Sequence, residues 1–186
     1  MKELGFIKIL IEDLKRLKDP SKKNSSNFFF VFLTLFNPRF FPVLIIRISS
    51  FIHNVRLLRI LSYILSWFNL IIFGIEYTPK CKIGFGLVIP HSNGIVIGAS
   101  KIGNNVTIFQ GVTLGAQVAD MEYDINTRPI IGNNVVIGSG AKILGNIRVG
   151  NNVVIGANSV VLEDIDDDAV VGGIPAKIIT KRQDRD

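Results

Sequence analysis

The sequence predicts a mainly β protein in which a solenoid of short stacked strands follows an α-helical N-terminal region. Two observations indicate this fold. From Ile83 onwards, aliphatic residues recur every six positions, and glycine commonly follows them. Before residue 76, the apolar residues instead form long runs or recur at helical spacing. We therefore expect a helical, apolar and basic region over residues 1–75, the solenoid over residues 76–180 and a tail over residues 181–186.

A helix is expected at the start of the chain. Its aliphatic residues lie three or four positions apart and comprise Leu4, Ile7, Ile11, Leu14 and Leu17. Charged residues occupy the opposite side. The helix should end before Asp19-Pro20, because proline disfavours a continuing helix. The pattern predicts an amphipathic helix.

Further apolar runs follow at residues 28–36, 40–46 and 57–75. The longest uncharged stretch, residues 60–75, falls short of the ~20 residues that cross a bilayer, so a membrane span is not expected. Two interpretations stay open. These helices pack on one another or across a subunit interface, or they lie in the interface of a membrane.

The positive charge of the chain lies in its N-terminal part. Residues 1–75 hold eleven lysines and arginines against four acidic residues, whereas residues 76–186 hold ten against eleven. A basic, apolar segment without a nucleic-acid-binding motif suits an anionic membrane surface or a hydrophobic partner better than DNA. The single cysteine, Cys81, excludes an intramolecular disulfide. We expect a cytoplasmic protein, either in solution or at the inner face of the cytoplasmic membrane.

The six-residue period has a direct structural explanation. In Val106-Thr107-Ile108 the two aliphatic side chains of a strand point to one face, and the threonine points to the other. Three residues then make a corner, and many corners are rich in glycine and asparagine, as at Gly132-Asn133-Asn134. Stacked coils of this kind would bury an interior column of aliphatic side chains.

One polar segment, residues 115–129, interrupts the repeat. A loop that is expelled from a regular stack is commonly functional. We therefore expect this loop to contribute to the site.

Two blocks of the solenoid are more specific than the repeat itself. They are His91-Ser92-Asn93-Gly94-Ile95-Val96-Ile97-Gly98 and residues 138–147, Gly-Ser-Gly-Ala-Lys-Ile-Leu-Gly-Asn-Ile. With these blocks the chain resembles the serine acetyltransferase family of hexapeptide-repeat acyltransferases, over nearly its whole length. The resemblance implies a left-handed parallel β-helix, an acyltransferase that uses acetyl-CoA, and assembly as a homotrimer or as a hexamer of two trimers.

The resemblance also implies the site residues. His91 occupies the position of the catalytic histidine, the general base that takes the proton of the acceptor hydroxyl. Glu76 stands where the family usually has an aspartate that orients this histidine. No metal is needed. The contacts to CoA that carry over by position are Gly115, Ala116, Ser139, Ala157 and Lys177, with Lys181 as a further candidate.

Two departures from the family concern the acceptor. The family has an aspartate directly before the catalytic histidine and Arg-His before a proline in the expelled loop, whereas this sequence has Pro90 and Thr127-Arg128-Pro129. Asp19 does match a carboxylate of the acceptor site, and Arg128 is a candidate acceptor contact. We therefore expect a sugar hydroxyl of surface-polysaccharide biosynthesis as the acceptor. Serine O-acetylation in cysteine biosynthesis is the alternative.

Two other functions occur on such a solenoid. A γ-type carbonic anhydrase needs three histidine ligands for zinc, and the repeat region contains only His91. A non-catalytic β-helix scaffold stays open, although His91 and the small residues of the CoA site favour an enzyme. His53 and Cys81 are expected to have packing roles. The acidic residues of 164–168 are expected to form a solvated turn.

Overall fold

The computed structural model describes residues 5–17, 37–120 and 122–181. Asp19 and the apolar run 28–36 lie outside these ranges. The α-helices are α1 (Phe6–Leu17), α2 (Phe41–His53) and α3 (Arg59–Phe73). One 3-10 helix, Arg56–Leu58, precedes α3, and another, Ile125–Thr127, lies in the expelled loop. α3 ends at Gly74, whose left-handed conformation (φ 63°) turns the chain into the first strand.

The strands of the described chain are short and follow at regular intervals. They are β1 (Ile75–Tyr77), β2 (Lys82–Ile83), β3 (Ile95–Ile97), β4 (Lys101–Ile102), β5 (Thr107–Ile108), β6 (Thr113–Gly115), β7 (Ile130–Ile131), β8 (Val136–Ile137), β9 (Lys142–Leu144), β10 (Arg148–Val149), β11 (Val154–Ile155), β12 (Val160–Val161), β13 (Ala169–Gly173) and β14 (Ala176–Lys181).

These strands form three walls of a prism. The first sheet has the order β1-β3-β6-β9-β12, the second β2-β4-β7-β10, and the third β5-β8-β11-β13-β14. The pairs are parallel except for β13 and β14, which pair antiparallel. The chain visits the three sheets in turn, so each coil adds one short strand to each wall.

The register of the coils explains the six-residue period. Ile131 pairs with Val149 and Ile137 with Ile155, so each coil takes three hexads. Across the expelled loop, Ile102 still pairs with Ile131, so the loop leaves the stack without breaking the register. Nearly all of the aliphatic residues that point inwards are buried, and they form one continuous core, which confirms the predicted solenoid.

Asparagine ladders hold the corners between the second and third sheets. Asn105, Asn134 and Asn152 all have positive φ, 56–59°, and the Nδ2 of each of the first two donates to the Oδ1 of the next, at 3.2 and 3.0 Å. Asn152 donates in turn to Asp168 at 2.8 Å. Its neighbour Asp167 accepts the backbone N–H of Asn151. The acidic turn is therefore more than a solvated turn, because it terminates the ladders.

Helix α1 forms as predicted, but the first part of its aliphatic stripe is exposed. Ile7 and Ile11 are 72% and 45% exposed, whereas Asp13 is fully buried. The Asp13 carboxylate binds the Arg47 guanidinium of α2 through two hydrogen bonds, and one of its oxygens also accepts the backbone N–H groups of Gly86 and Leu87. An ion pair, which helical periodicity does not reveal, therefore decides how α1 packs.

α2 and α3 pack on each other through polar groups. Ser49 Oγ donates to the Ser62 carbonyl at 2.8 Å, and His53 Nδ1 lies 2.8 Å from Ser62 Oγ. Asn69 donates to the Pro42 carbonyl at 3.3 Å. His53 thus has the predicted packing role. By length and composition alone, residues 56–73 could also cross a membrane, and 11% of that stretch is buried.

Candidate active site

His91 lies at a corner of the prism that leads from the third sheet into the first. Its side chain is exposed, and strand β3 of the first sheet begins four residues later at Ile95. The corner turns at Asn93 and Gly94, both with positive φ (106° and 65°), which asparagine and glycine tolerate best. The corner therefore presents the imidazole at the surface.

The corners of the following coils stack on this one. The backbone N–H of Gly111 donates to the Asn93 carbonyl at 3.0 Å. The backbone N–H groups of Gly140 and Asn158 likewise donate to the carbonyls of Gln110 and Ser139, both at 2.8 Å. His91, Ser139 and Ala157 consequently lie along one edge of the prism, here termed the His91 edge. Three coil steps of roughly 4.8 Å place Ala157 about 14 Å from the level of His91. An elongated ligand can follow such an edge.

Glu76 lies on the outer face of β1 and is exposed. In the first sheet it pairs with Val96, in the strand that directly follows the His91 corner. Neither Glu76 nor His91 forms a side-chain hydrogen bond to another described residue. The orienting contact between the two stays a prediction.

Gly115 and Ala116 lie at the opposite edge of the first sheet, where β6 ends and the expelled loop begins. We term this the Gly115 edge. A Cβ added at Gly115 would meet no heavy atom within 4 Å, so the space beside it is open. Within one chain, the first sheet therefore separates these two predicted CoA contacts from His91, Ser139 and Ala157.

Arg128 is held at the end of the expelled loop by several contacts. Its guanidinium binds Asp120 Oδ2 at 2.8 Å and the Gly98 carbonyl at 3.0 Å, and it lies over the Tyr123 ring, 4.0 Å from the centroid. Partial desolvation raises the pKa of Asp120, but hydrogen bonds from Arg128, the Asp124 backbone and Thr127 outweigh it and leave this pKa lowered. Arg128 thus anchors the loop to the first sheet, close to the Gly115 edge.

The remaining predicted residues lie apart from these contacts. Lys177 is exposed in β14, where it pairs with Gly172, and Lys181 is exposed at the end of the same strand. Asp19 lies outside the described residues. The described residues contain no group of three or more acidic, histidine or cysteine side chains that could hold a metal ion.

Two features of the site escaped the sequence analysis. Lys142 Nζ donates to the Gly111 carbonyl at 2.5 Å and to Thr113 Oγ1 at 3.2 Å, which places an ammonium group beside the His91 edge. The outward position of Lys142 between Ala141 and Ile143 was a usable signal. Tyr123, which packs under Arg128 and donates to the Ala99 carbonyl at 2.6 Å, carried no comparable signal.

Residues 128–163 match the family model for the bacterial transferase hexapeptide, six repeats. The chain is 39% identical to the serine acetyltransferase of Helicobacter pylori strain J99 over 165 residues, 88% of this chain and 91% of that protein. It is 37% identical to the serine acetyltransferase of Buchnera aphidicola over 183 residues, 96% of this chain. It spans 66% of the length of this second relative and 63% of that of the Synechococcus elongatus serine acetyltransferase.

Solved structures agree with the sequence relatives. The serine acetyltransferase of Neisseria gonorrhoeae superposes with a TM-score of 0.82 and 31% identity, over 97% of this chain and 67% of that one. A serine acetyltransferase in complex with CoA superposes with a TM-score of 0.78 and 33% identity, over 94% of this chain and 70% of that one. These similarities confirm the left-handed β-helix that the family resemblance implied. The chain belongs to the serine acetyltransferase family of hexapeptide-repeat transferases.

Proposed function

We propose that this chain is an acetyl-CoA-dependent serine O-acetyltransferase that acts as a homotrimer. The observation that carries the proposal is the 39% identity to a serine acetyltransferase over 91% of that protein's length. The sugar acceptor expected from the sequence finds no support among the relatives described above, which are serine acetyltransferases. Serine, first considered as the alternative, therefore becomes the proposed acceptor.

Acetyl-CoA would lie along the His91 edge, with its thioester near His91. Ser139 and Ala157 would contact its length, and Lys177 would lie towards its nucleotide end. The division of the predicted contacts between two edges supports a groove between neighbouring protomers. In a homotrimer of prisms, the His91 edge of one copy would face the Gly115 edge of the next. Gly115, with open space beside it, and Ala116 would then complete the binding site of the adjacent protomer.

In the proposed reaction a ring nitrogen of His91 accepts the proton of the acceptor hydroxyl. The hydroxyl oxygen attacks the thioester carbonyl, and backbone N–H groups stabilise the negative charge on the carbonyl oxygen. The carbon–sulfur bond then breaks, and the imidazolium returns its proton to the thiolate, which gives free CoA and the acetyl ester. Glu76 would orient the imidazole and stabilise its charged form.

A sugar hydroxyl is the second candidate acceptor, and two observations favour it. Arg128 is the residue of the loop that could bind an acceptor carboxylate, yet its guanidinium already binds Asp120 and the Gly98 carbonyl. Pro90 also stands in place of the family's aspartate. An amino-acid acceptor would then rely on Asp19 and on groups that the sequence does not identify.

The test is acetyl-CoA consumption against free L-serine, simple sugars, nucleotide sugars and glycan oligosaccharides. The proposal expects turnover on serine well above the rate of hydrolysis. Turnover on a sugar with none on serine would replace serine by the second candidate. Failure to bind CoA, measured by calorimetry, would indicate that the protein is a non-catalytic scaffold and not an acetyltransferase.

A further inference from the structure

Helix α3 is polar on its buried side and apolar on its exposed side, the reverse of an ordinary surface helix. Its buried residues are Ser62 and Asn69. The outer face of α3 consists of Ile60, Tyr63, Ile64, Trp67, Phe68 and Ile71, all exposed. Ile60 is 75% and Trp67 is 64% exposed, and Leu57, just before the helix, is 89% exposed. An apolar surface of this kind calls for a partner.

The surface is wide as well as apolar. At ~100° per residue the exposed positions from Arg59 to Ile72 cover roughly 220° of the helix circumference, and the helix is about 22 Å long. Inside that arc no side chain is charged, since Arg59 stands at its margin. So broad an arc exceeds the single stripe that one helix normally buries against a protein partner.

The charged residues of α2, α3 and the segments just before them have one sign. Between Asn37 and Ile75 the sequence contains no acidic residue. Arg39, Arg56 and Arg59 are exposed there, whereas Arg47 is buried and paired with Asp13. Burial, with the charges of Arg59 and Lys80, lowers the pKa of His53, whose Nδ1 lies 2.8 Å from Ser62 Oγ of α3.

This charge pattern distinguishes between two partners that could cover the outer face of α3, a second copy of the chain and an anionic bilayer. A second copy docked through the same face would offer no carboxylate of its α3 to Arg56 and Arg59, since residues 37–75 contain none. An anionic bilayer instead offers hydrocarbon for the apolar face and negative headgroups for the cationic margin. Tyr63 and Trp67 belong to the residue types that favour the headgroup level.

We propose that the outer face of α3 docks this protein on an anionic lipid bilayer, with α3 lying in the plane of the membrane. The inner side of the helix excludes a transbilayer orientation, because it is bonded to the body of the protein. Ser66 Oγ donates to the Tyr77 carbonyl of β1 at 2.5 Å, and Asn69 donates to α2. Spanning would break these contacts. The docking goes beyond the proposed acetyl transfer, and its test needs no activity.

Trp67 provides a direct probe, because it is the only tryptophan of the chain. The full-length protein is titrated with vesicles of phosphatidylcholine and phosphatidylglycerol, and with phosphatidylcholine alone. We expect a blue shift of the emission with the anionic vesicles, and quenching by lipids brominated on their acyl chains. An unchanged spectrum in anionic vesicles would overturn the proposal.

Variants test the two parts of the surface separately. Ile64→Ser combined with Ile71→Ser should weaken vesicle binding more than tenfold while Trp67 remains as reporter. The matched control is Ile125→Ser combined with Ile179→Ser, two exposed isoleucines outside α1, α2 and α3, which should bind like the parent. Arg56→Gln and Arg59→Gln should each weaken binding roughly fivefold, and high salt should do the same.

Burial of this face by a second copy would give a different pattern. Trp67 would then be shielded from iodide without vesicles, and Ile64→Ser with Ile71→Ser would lower the mass measured by sedimentation. That result, together with unchanged emission on adding vesicles, would overturn membrane docking in favour of self-association.

Discussion

Asp13 and Arg47 form a buried ion pair, 2.8 Å between Oδ2 and Nε, that fastens α1 to α2 and to the first coil of the β-helix. Arg47 also donates to the carbonyls of Ile83 and Gly84, while Asp13 accepts the N–H groups of Gly86 and Leu87. The pair therefore joins three segments that are remote in the sequence.

Removal of either member of the Asp13–Arg47 pair should strongly destabilise the protein. Asp13→Asn or Arg47→Met should lower the free energy of unfolding by about 3–5 kcal/mol, because each leaves a buried charge without its counterion. Urea unfolding provides the measurement. The control is Lys15→Ala, which removes the exposed pair with Glu12 and should cost at most about 0.5 kcal/mol. Equal midpoints for Asp13→Asn and Lys15→Ala would contradict the structural role of the pair.

The assignment of His91 predicts a purely chemical defect. His91→Ala should lower turnover by roughly 10²–10⁴, the usual contribution of a general base. The oligomer mass and the thermal midpoint should be unchanged, since His91 is exposed and makes no hydrogen bond to another described residue. Steady-state kinetics beside light scattering check both. Near-normal turnover in the purified variant would refute the assignment, and His53→Ala is a histidine control for activity.

The interior column predicts a contrast between neighbouring positions of β8. Ile137→Ala should cost about 2–5 kcal/mol, because the side chain is fully buried among the coils and leaves a cavity. Val136→Ala changes the adjacent, outward side chain and should cost much less. Thermal unfolding of both variants gives the comparison. Similar losses would mean that the outward face of this sheet is also covered in the assembled protein.

The contacts of Arg128 predict a local opening of the loop. Arg128→Ala should speed hydrogen exchange over residues 122–127 while the β-helix amides stay protected, because the guanidinium binds both Asp120 and Gly98. Lys101→Ala, an exposed cation on the second sheet, is the control.

The same contact should depend on pH. The pKa of Asp120 is lowered in the folded chain, so its carboxylate contributes stability above the ordinary aspartate range, and this is lost as the pH falls through the folded pKa. Exchange in the loop should accordingly rise in acid. Protection that is independent of both Arg128 and pH would show that other contacts hold the loop.

Cys81 should behave as a protected thiol. Burial raises its pKa to about 12, only partly offset by Arg47, Tyr123 and Arg128. At pH 8 the native protein should react with iodoacetamide orders of magnitude more slowly than the urea-unfolded protein, because the thiolate is scarce and the side chain is buried. Since Cys81 is the only cysteine, mass spectrometry gives the extent of labelling directly. Rapid native labelling would contradict the packing around β1 and β2.

The sequence by itself determined the solenoid. An aliphatic residue every six positions, with glycine and asparagine at many corners, allows few structures other than a solenoid of stacked coils, because each coil repeats the same local geometry. The period also fixed which residues point inwards and where the chain leaves the stack. The motif around His91 indicated the family. The prediction that Gly115, Ser139 and Ala157 contact CoA followed from the family resemblance.

Contacts between distant segments were decided only by the tertiary structure. The sequence shows Asp13 as one charge in an amphipathic pattern, and only the fold brings Arg47, Gly86 and Leu87 to its carboxylate. The same holds for Arg128, which the sequence offered as a candidate acceptor contact and the fold places on Asp120 and Tyr123. It holds for α3 as well, where packing turns Ser62 and Asn69 inwards and leaves Trp67 outside. Periodicity reports local geometry, whereas the partner of a buried polar group depends on chain segments that only folding brings together.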